Sequence, residues 1–297
     1  MIFSRYFCFR ASRNFDFCSP DLENKEMKNT LHWPLVLSLV LTLTPLESSA
    51  KTLFEGYYKI LSGGVHVGYY IQKYELDPKT RQFKSIYYIR TNEQGGNISE
   101  SLKALSTEKL NPISYNYTSL QGEQTKTIDA NVRKGKKDEP ILQVKMIENG
   151  KLRVYEQKLQ KGTFFSTFLI YLLLQGEKGI TPGVKYKFRS IAEEDGKAYP
   201  GEVYIDSETK KMGLDVFKVL YTFKRTQFVN FINFKGESLL SISPALEISA
   251  ELVNDPKEAT QGMPMSDKTI QLLFGETPKG VTHSLKKTPT TAPKKSE

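Results

Sequence analysis

LFEGYYKIL (53–61) and VHVGYYIQKYEL (65–76) stand either side of Ser62-Gly63-Gly64. Glycine supplies the positive φ that a tight turn demands, and the flanking runs are rich in Tyr, Ile and Val, so the stretch reads as a β-hairpin. The same grammar continues outward. Asp77-Pro78-Lys79-Thr80 is the next turn, QFKSIYYIRT (82–91) the next strand, and Gly95-Gly96-Asn97 the turn after it. Further strands follow to residue 159, punctuated by Asn111-Pro112, Gly122, Gly135 and Asn149-Gly150. Strands at roughly ten-residue spacing between regular turns predict a mainly β fold, an antiparallel curved sheet, sandwich or barrel, and argue against a doubly wound α/β domain.

Thr163 to Gly176, TFFSTFLIYLLLQG, breaks the pattern. It has a capping-type Thr at its start, Gly at its end and no charge between, which predicts one short helix. Apolar residues cover all its faces, so the helix must be buried or covered. Phe164 to Leu174 would span only about 16 Å as helix, too short for a bilayer. A second strand series begins at 184. In 215–225, Phe217, Val219, Tyr221 and Phe223 alternate with Lys218, Thr222 and Lys224, the mark of a half-buried strand. QFVNFINF (227–234) is apolar on both sides and predicts apolar partners on both faces.

The chain has 297 residues, 39% hydrophobic and 25% charged, so a chain disordered throughout is excluded. From Met27 it reads as a secretory signal peptide: Lys28, an apolar run from Leu31 to Leu43, Pro45, then Ser48-Ser49-Ala50 before the cut. Residues 1–26 do not fit ahead of such a leader and read as an overextended reading frame, 27–50 as the leader. Residues 51–274 then form a β-rich domain, with two halves divided near 160–180. The Pro-, Thr- and Lys-rich 275–297 reads as a disordered basic tail.

Both cysteines, Cys8 and Cys18, precede Met27, so the expected mature chain has no thiol for a disulfide, a zinc–thiolate site or a nucleophile. No cofactor and no metal is expected. The whole chain carries +9, and the five basic and five acidic residues before Lys51 cancel, so the mature chain keeps that charge. Its lysines are spread along many strands, which reads as a solvated surface. Peripheral contact with a membrane through that surface or the tail is the partner reading the charge allows. No nucleic-acid motif accompanies it.

Several short motifs run together along residues 53–259. They are Gly63-Gly64-Val65-His66-Val67-Gly68-Tyr69, Asn111-Pro112 leading into Tyr115-Asn116-Tyr117, and the apolar helix followed by Thr181-Pro182-Gly183. Gly213-Leu214-Asp215-Val216-Phe217-Lys218-Val219 and Lys235-Gly236-Glu237 complete the set. In this layout the chain resembles the exported bacterial proteins grouped as domain of unknown function 3108. The resemblance implies an envelope location, periplasmic or secreted, and a β-rich fold; it carries over no catalytic residue.

Catalytic chemistry finds little footing. His66 is the one imidazole expected in the body of the fold, and it shares a strand face with Tyr70 and Tyr74, without a nucleophile signature nearby. Glu193-Glu194-Asp195 before Gly196 reads as a solvated turn, since acid/base pairs must oppose each other across a cleft. Tyrosines crowd the first three strands on both faces, where one set packs a core and the other can line a pocket. The favoured reading is a noncatalytic envelope protein holding a lipid or other apolar ligand in a β cavity closed by the helix, with Phe164, Phe168 and Leu172 facing Tyr58, Tyr70 and Tyr87. The alternatives are an assembly factor that binds another envelope protein, and a carboxylate hydrolase.

Overall fold

The computed structural model describes residues 50–263 and 265–287. The extension, nearly all of the leader and residues 288–297 lie outside the described residues. Among the described residues fifteen strands form one sheet. The first series comprises β1 (Lys51–Ser62), β2 (Val65–Asp77), β3 (Gln82–Thr91), β4 (Ile98–Thr107), β5 (Pro112–Gln121), β6 (Gln124–Lys134), β7 (Pro140–Glu148) and β8 (Lys151–Lys158). The second comprises β9 (Phe164–Phe165), β10 (Lys185–Ala192), β11 (Lys197–Lys211), β12 (Leu214–Phe223), β13 (Thr226–Ile232), β14 (Ser238–Ser243) and β15 (Ile248–Val253). The first series and β10–β15 are meanders, β9 adds parallel to β10, and β15 pairs antiparallel with β1, joining the two at the centre of the sheet.

The hairpin that decided the fold class forms as the glycines require. Ser62 pairs with Val65 around Gly63 and Gly64, both at positive φ. Asp77 caps the following turn, its Oδ1 accepting from the Lys79 and Thr80 amides. A sheet of this many twisted strands curls. Its β9 end tucks against β4, with Phe165 edge-on to Tyr115 of β5 at 5.3 Å. At the other end Tyr155 of β8 donates to the Asp195 carbonyl at 2.8 Å. The molecule is therefore a rolled antiparallel sheet, barrel-like, fastened by side chains instead of a closed ladder.

Pairing sends alternate side chains inward and outward. Inward, two apolar clusters form. One gathers Phe54, Tyr58 and Tyr70 with Val219, Tyr221 and Phe228; the other gathers Phe83, Leu102, Tyr115 and Tyr117 with Phe164, Phe165 and Phe168. Segment 164–175 lies between them, and Tyr74, Tyr87, Leu169 and Phe188 touch both. Outward, Tyr57, Tyr69, Ile71, Ile86 and Tyr88 are covered by Ala259, Ile270 and Phe274. These come from α2 (Pro256–Thr260) and α3 (Asp267–Phe274), following α1 (Leu169–Gln175) in chain order.

Four expectations are corrected. The helix is shorter than 163–176: Phe164–Phe165 pairs parallel with β10, Ser166–Phe168 is a 3₁₀ turn, and only Leu169–Gln175 is α-helical. The tail does not begin at 275. Gly280 N donates to Glu55 Oε1 at 2.7 Å, Tyr57 OH to the Pro278 carbonyl at 2.9 Å, and His283 is buried. The outer face of β1 buries Glu55 and needs those partners. His66 parts from Tyr70 because the β1–β2 register slips between Ile60 and Leu61, and such a bulge flips the face. Its Nε2 lies 3.1 Å from the Ala259 carbonyl. Finally, Phe234 at the end of QFVNFINF is 70% exposed. No helix among the described residues is long and apolar enough to cross a membrane.

Candidate functional site

A cavity of about 170 Å³ lies between α1 and the inner face of the sheet. Its size follows from shape. Large aromatic side chains project from β1 and β2, while β14 opposite contributes only Ser238 and Ser241 to the lining, so the two walls do not fill the space between them. Phe54, Tyr58, Tyr70 and Tyr74 form the β1–β2 wall, and Val219, Tyr221, Asn230 and Ile232 the β12–β13 wall. Leu169, Ile170, Tyr171 and Leu173 form the lid, and Lys235, Gly236 and Glu237 the mouth.

Backbone conformation at the mouth depends on glycine. Gly236 has φ of 82°, and a Cβ there would stand 2.7 Å from Leu174 Cδ1 and 3.1 Å from Ile170 Cγ1. Only a glycine lets the β13–β14 turn and α1 touch this closely. Asn233 shapes the turn from inside, its Oδ1 accepting from the Lys235 and Glu237 amides, both at 3.0 Å.

A buried polar chain anchors the lid. Tyr70 OH donates to Gln72 Oε1, and Gln72 Nε2 donates to Ser85 Oγ at 3.1 Å. Ser85 Oγ shares a 2.6 Å hydrogen bond with Thr167 Oγ1, and Tyr74 OH donates to the Thr167 carbonyl at 2.7 Å. The Thr167 amide then donates to Glu193 Oε1 at 3.0 Å, and Ser166 Oγ to Glu193 Oε2 at 2.5 Å. Glu193 is therefore no solvated turn residue. Burial pushes its carboxyl up to about 7, against the hydrogen bonds from Ser166 and Thr167. Its neighbours Glu194 and Asp195 are half-buried and each meets Lys224 Nζ at 2.7 Å.

The tyrosines of the interior are polar at their tips and uncharged. Burial, followed by neighbouring phenols, raises Tyr58 and Tyr70 well above the usual range, and burial raises Tyr74, Tyr171 and Tyr221 too. All five phenols stay protonated at neutral pH and can offer apolar area and hydrogen bonds without charge. Tyr58 OH already donates to the Ser238 carbonyl at 2.9 Å. Asn230 stands beside Tyr221, and its buried Oδ1 accepts no well-formed hydrogen bond among the described residues. Glu237 is the one carboxylate in the lining, and its Oε2 is taken by Asn233 Nδ2 at 2.7 Å and the Ser284 amide at 2.9 Å. The paired carboxylates of a glycosidase-type hydrolase are not present there. Among the described residues no group of His, Cys, Asp and Glu is placed to hold a metal.

Of the six residues read from the sequence, Tyr58 and Tyr70 line the cavity, their rings 5.1 Å apart. Tyr87 stands behind Tyr70, ring to ring at 5.8 Å, with its OH on Glu100 Oε1 at 2.7 Å. Phe164, Phe168 and Leu172 belong to the other inner cluster, where Phe164 meets Phe188 and Phe168 meets Phe83 and Tyr74. The phase of the lid differs because its first turn is 3₁₀, with three residues per turn, and this rotates Ile170 and Tyr171 into the cavity in their place. Asn230, Ser238 and Ser241 carried no signal in the sequence, since small polar residues on a strand are ordinary there.

No protein-family model and no curated protein matches the chain. Among solved structures the chain is similar to a β-barrel-like protein of domain of unknown function DUF1849 from Brucella abortus, at 10% identity and a TM-score of 0.46, over 67% of this chain and 94% of that one.

Proposed function

We propose that this protein is an exported, noncatalytic component of the cell envelope that holds an apolar chain, such as the end of a lipid acyl chain, in the cavity beneath α1. The carrying observation is the cavity itself, walled by uncharged tyrosines, leucines and isoleucines with neutral polar groups of Gln72, Thr167, Asn230, Ser238 and Ser241 among them, and with Lys235 and Glu237 at the mouth. Its volume is close to the ~150 Å³ of an apolar cavity that takes up benzene, and below the ~300–1,000 Å³ of a drug-sized site. It therefore accepts part of a chain, and the polar end of the ligand stays outside by Lys235. Export is supported by the leader-like order of residues 27–50 and by the resemblance to exported envelope proteins.

The test is uptake of a fluorescent fatty acid, alongside native mass spectrometry of protein purified from its own envelope. Wild type should carry or take up one chain. Ser241→Leu, which fills space on the cavity side of β14, should lose uptake while keeping its thermal midpoint. Absence of copurifying lipid together with equal fluorescence for wild type and Ser241→Leu would sink the proposal.

A further inference from the structure

Antiparallel pairing sorts the turns between two rims of the rolled sheet. The mouth rim carries the β2–β3, β4–β5, β6–β7, β11–β12 and β13–β14 turns; the opposite rim carries the hairpin turns between them. Charge follows this division. Turns of the opposite rim hold Glu93, Glu123, Glu194, Asp195 and Glu247, with Glu193 buried, against Lys224 and Arg225, and Lys151 and Lys197 begin strands there. Turns of the mouth rim hold Lys79, Arg81, Lys109, Lys136, Lys137 and Lys235 against Glu108, Asp138, Glu139 and Glu237, so lysines dispersed in the sequence converge there.

Beside the mouth, two neighbouring turns present a specific surface. Phe217 of β12 pairs with Ile232 of β13, which sets the β11–β12 tip next to the β13–β14 turn. From the first project Lys210, Lys211 and Met212, and from the second Phe234 and Lys235. Met212 is 44% exposed and Phe234 70%. Phe234 shares a shallow surface groove with Lys210, Val216 and Phe217, with Glu208 and Asp215 also on its walls, and Lys235 Nζ lies 5.5 Å from the centre of its ring. The turn is not slack, because Asn233, 2% exposed, fixes it from within through both amides. Lys211 Nζ lies 4.7 Å from the centre of the Phe231 ring and Lys235 Nζ donates to Ser284 Oγ at 3.3 Å, but neither forms an ion pair among the described residues, and Lys210 meets only exposed Asp215, at 3.7 Å. Such an exposed pair adds little and leaves the cation open to a partner.

We infer that this corner of the mouth rim docks on an anionic bilayer, with Phe234 and Met212 entering the interface and Lys210, Lys211 and Lys235 meeting lipid headgroups. An aromatic and a thioether flanked by lysines is the chemistry of a peripheral membrane contact. Charge complementarity selects the anionic surface, and the acidic opposite rim would then face away from it. The inference rests on the cavity reading in one respect, that the docked corner adjoins the opening through which a chain would enter.

Flotation of the full chain with two kinds of vesicle tests it: phosphatidylglycerol mixed with phosphatidylethanolamine, and phosphatidylcholine alone. Wild type should float with the first and not the second. At about fivefold per lysine, replacing Lys210, Lys211 and Lys235 with Gln should weaken binding on the order of 100-fold. Phe234→Ser should weaken it roughly tenfold from lost apolar contact. Lys151→Gln with Lys197→Gln, at the other rim, should float as wild type. All these side chains but half-buried Lys211 are exposed, and thermal midpoints check that the variants fold. Equal flotation with both vesicle types overturns the inference. Salt-sensitive binding indifferent to Phe234→Ser also overturns it, in favour of a soluble polyanion or acidic protein. Fatty-acid uptake measured on the same samples separates the two readings: uptake without flotation by wild type refutes docking alone, and flotation without uptake refutes the cavity alone.

Discussion

Replacing Glu193 with Gln should make the protein more stable at pH 8 and change nothing near pH 4. The carboxyl is buried under the lid, accepts from Ser166 Oγ and the Thr167 amide, and has its pKa pushed by burial from 4.5 up to about 7. Between those values the folded protein binds more protons than the unfolded chain, so its stability falls as pH rises through the window and levels off above about 7. At about 1.4 kcal/mol for each pH unit, the window is worth roughly 3 kcal/mol. Gln keeps an acceptor for the Thr167 amide, and the Ser166 hydroxyl can rotate to accept from the new Nε2. The measurement is thermal or urea unfolding of both proteins from pH 4 to 8. Taking the difference between them cancels every other titrating group. In a domain of this size, roughly 2–4 °C per kcal/mol puts the expected gain at pH 8 near 6–12 °C. A difference that stays constant across the range would show that Glu193 titrates alike in the folded and unfolded chain, and would refute the desolvation argument.

Lys73 is 3% exposed, with Glu75 at 2.9 Å, Glu276 at 3.1 Å and Glu55 at 3.9 Å. Burial lowers its pKa, but the hydrogen bonds and charges of Glu75 and Glu276 outweigh that and leave it above the ordinary lysine value. Lys73→Met should strand the carboxylates and cost roughly 3–5 kcal/mol; urea unfolding checks it, and a loss within experimental error would mean that Lys84 and solvent suffice. Gly236→Ala combines a positive φ with contact on Leu174 and should cost about 1–2 kcal/mol or more. Because the strain falls on the lid, fatty-acid uptake should change along with the midpoint. Ending the chain after Gly275 removes the Gly280 and Pro278 contacts to Glu55 and Tyr57 and the Ser284 contact to Glu237. This truncation should lower the midpoint and speed amide exchange in β1, and unchanged β1 protection would count against a structural role for 276–287.

The strands were legible because their evidence is local. In Phe217–Phe223 the alternation of apolar and polar residues needs only a period of two, and Gly63-Gly64 names its own turn. Missed helices α2 and α3 had local signals too. Asp255 caps α2 just before Pro256, and Ser266 and Gly275 bracket α3. The tail misled because its composition is that of a disordered segment, whereas its order comes from Glu55 and Tyr57, more than two hundred residues away in sequence.

For the site, the sequence indicated tyrosines on two faces and an apolar lid but could not phase them. Tyr58 and Tyr70 reach the cavity by alternation alone. Phe168 does not, because a two-residue parallel pairing with β10 and a 3₁₀ turn precede the helix, and that pairing depends on a strand later in the sequence. His66 changes face through a bulge that no single strand announces. The sequence by itself determined the mainly β class, the turns and the absence of thiols from Lys51 onward. Only the tertiary structure decided the inner and outer faces, the burial of Glu193, the cavity and the gathering of lysines at its mouth. Periodicity is a property of one segment, while register, roll and strand direction arise from pairings between segments far apart, and these decide which side chains share a space.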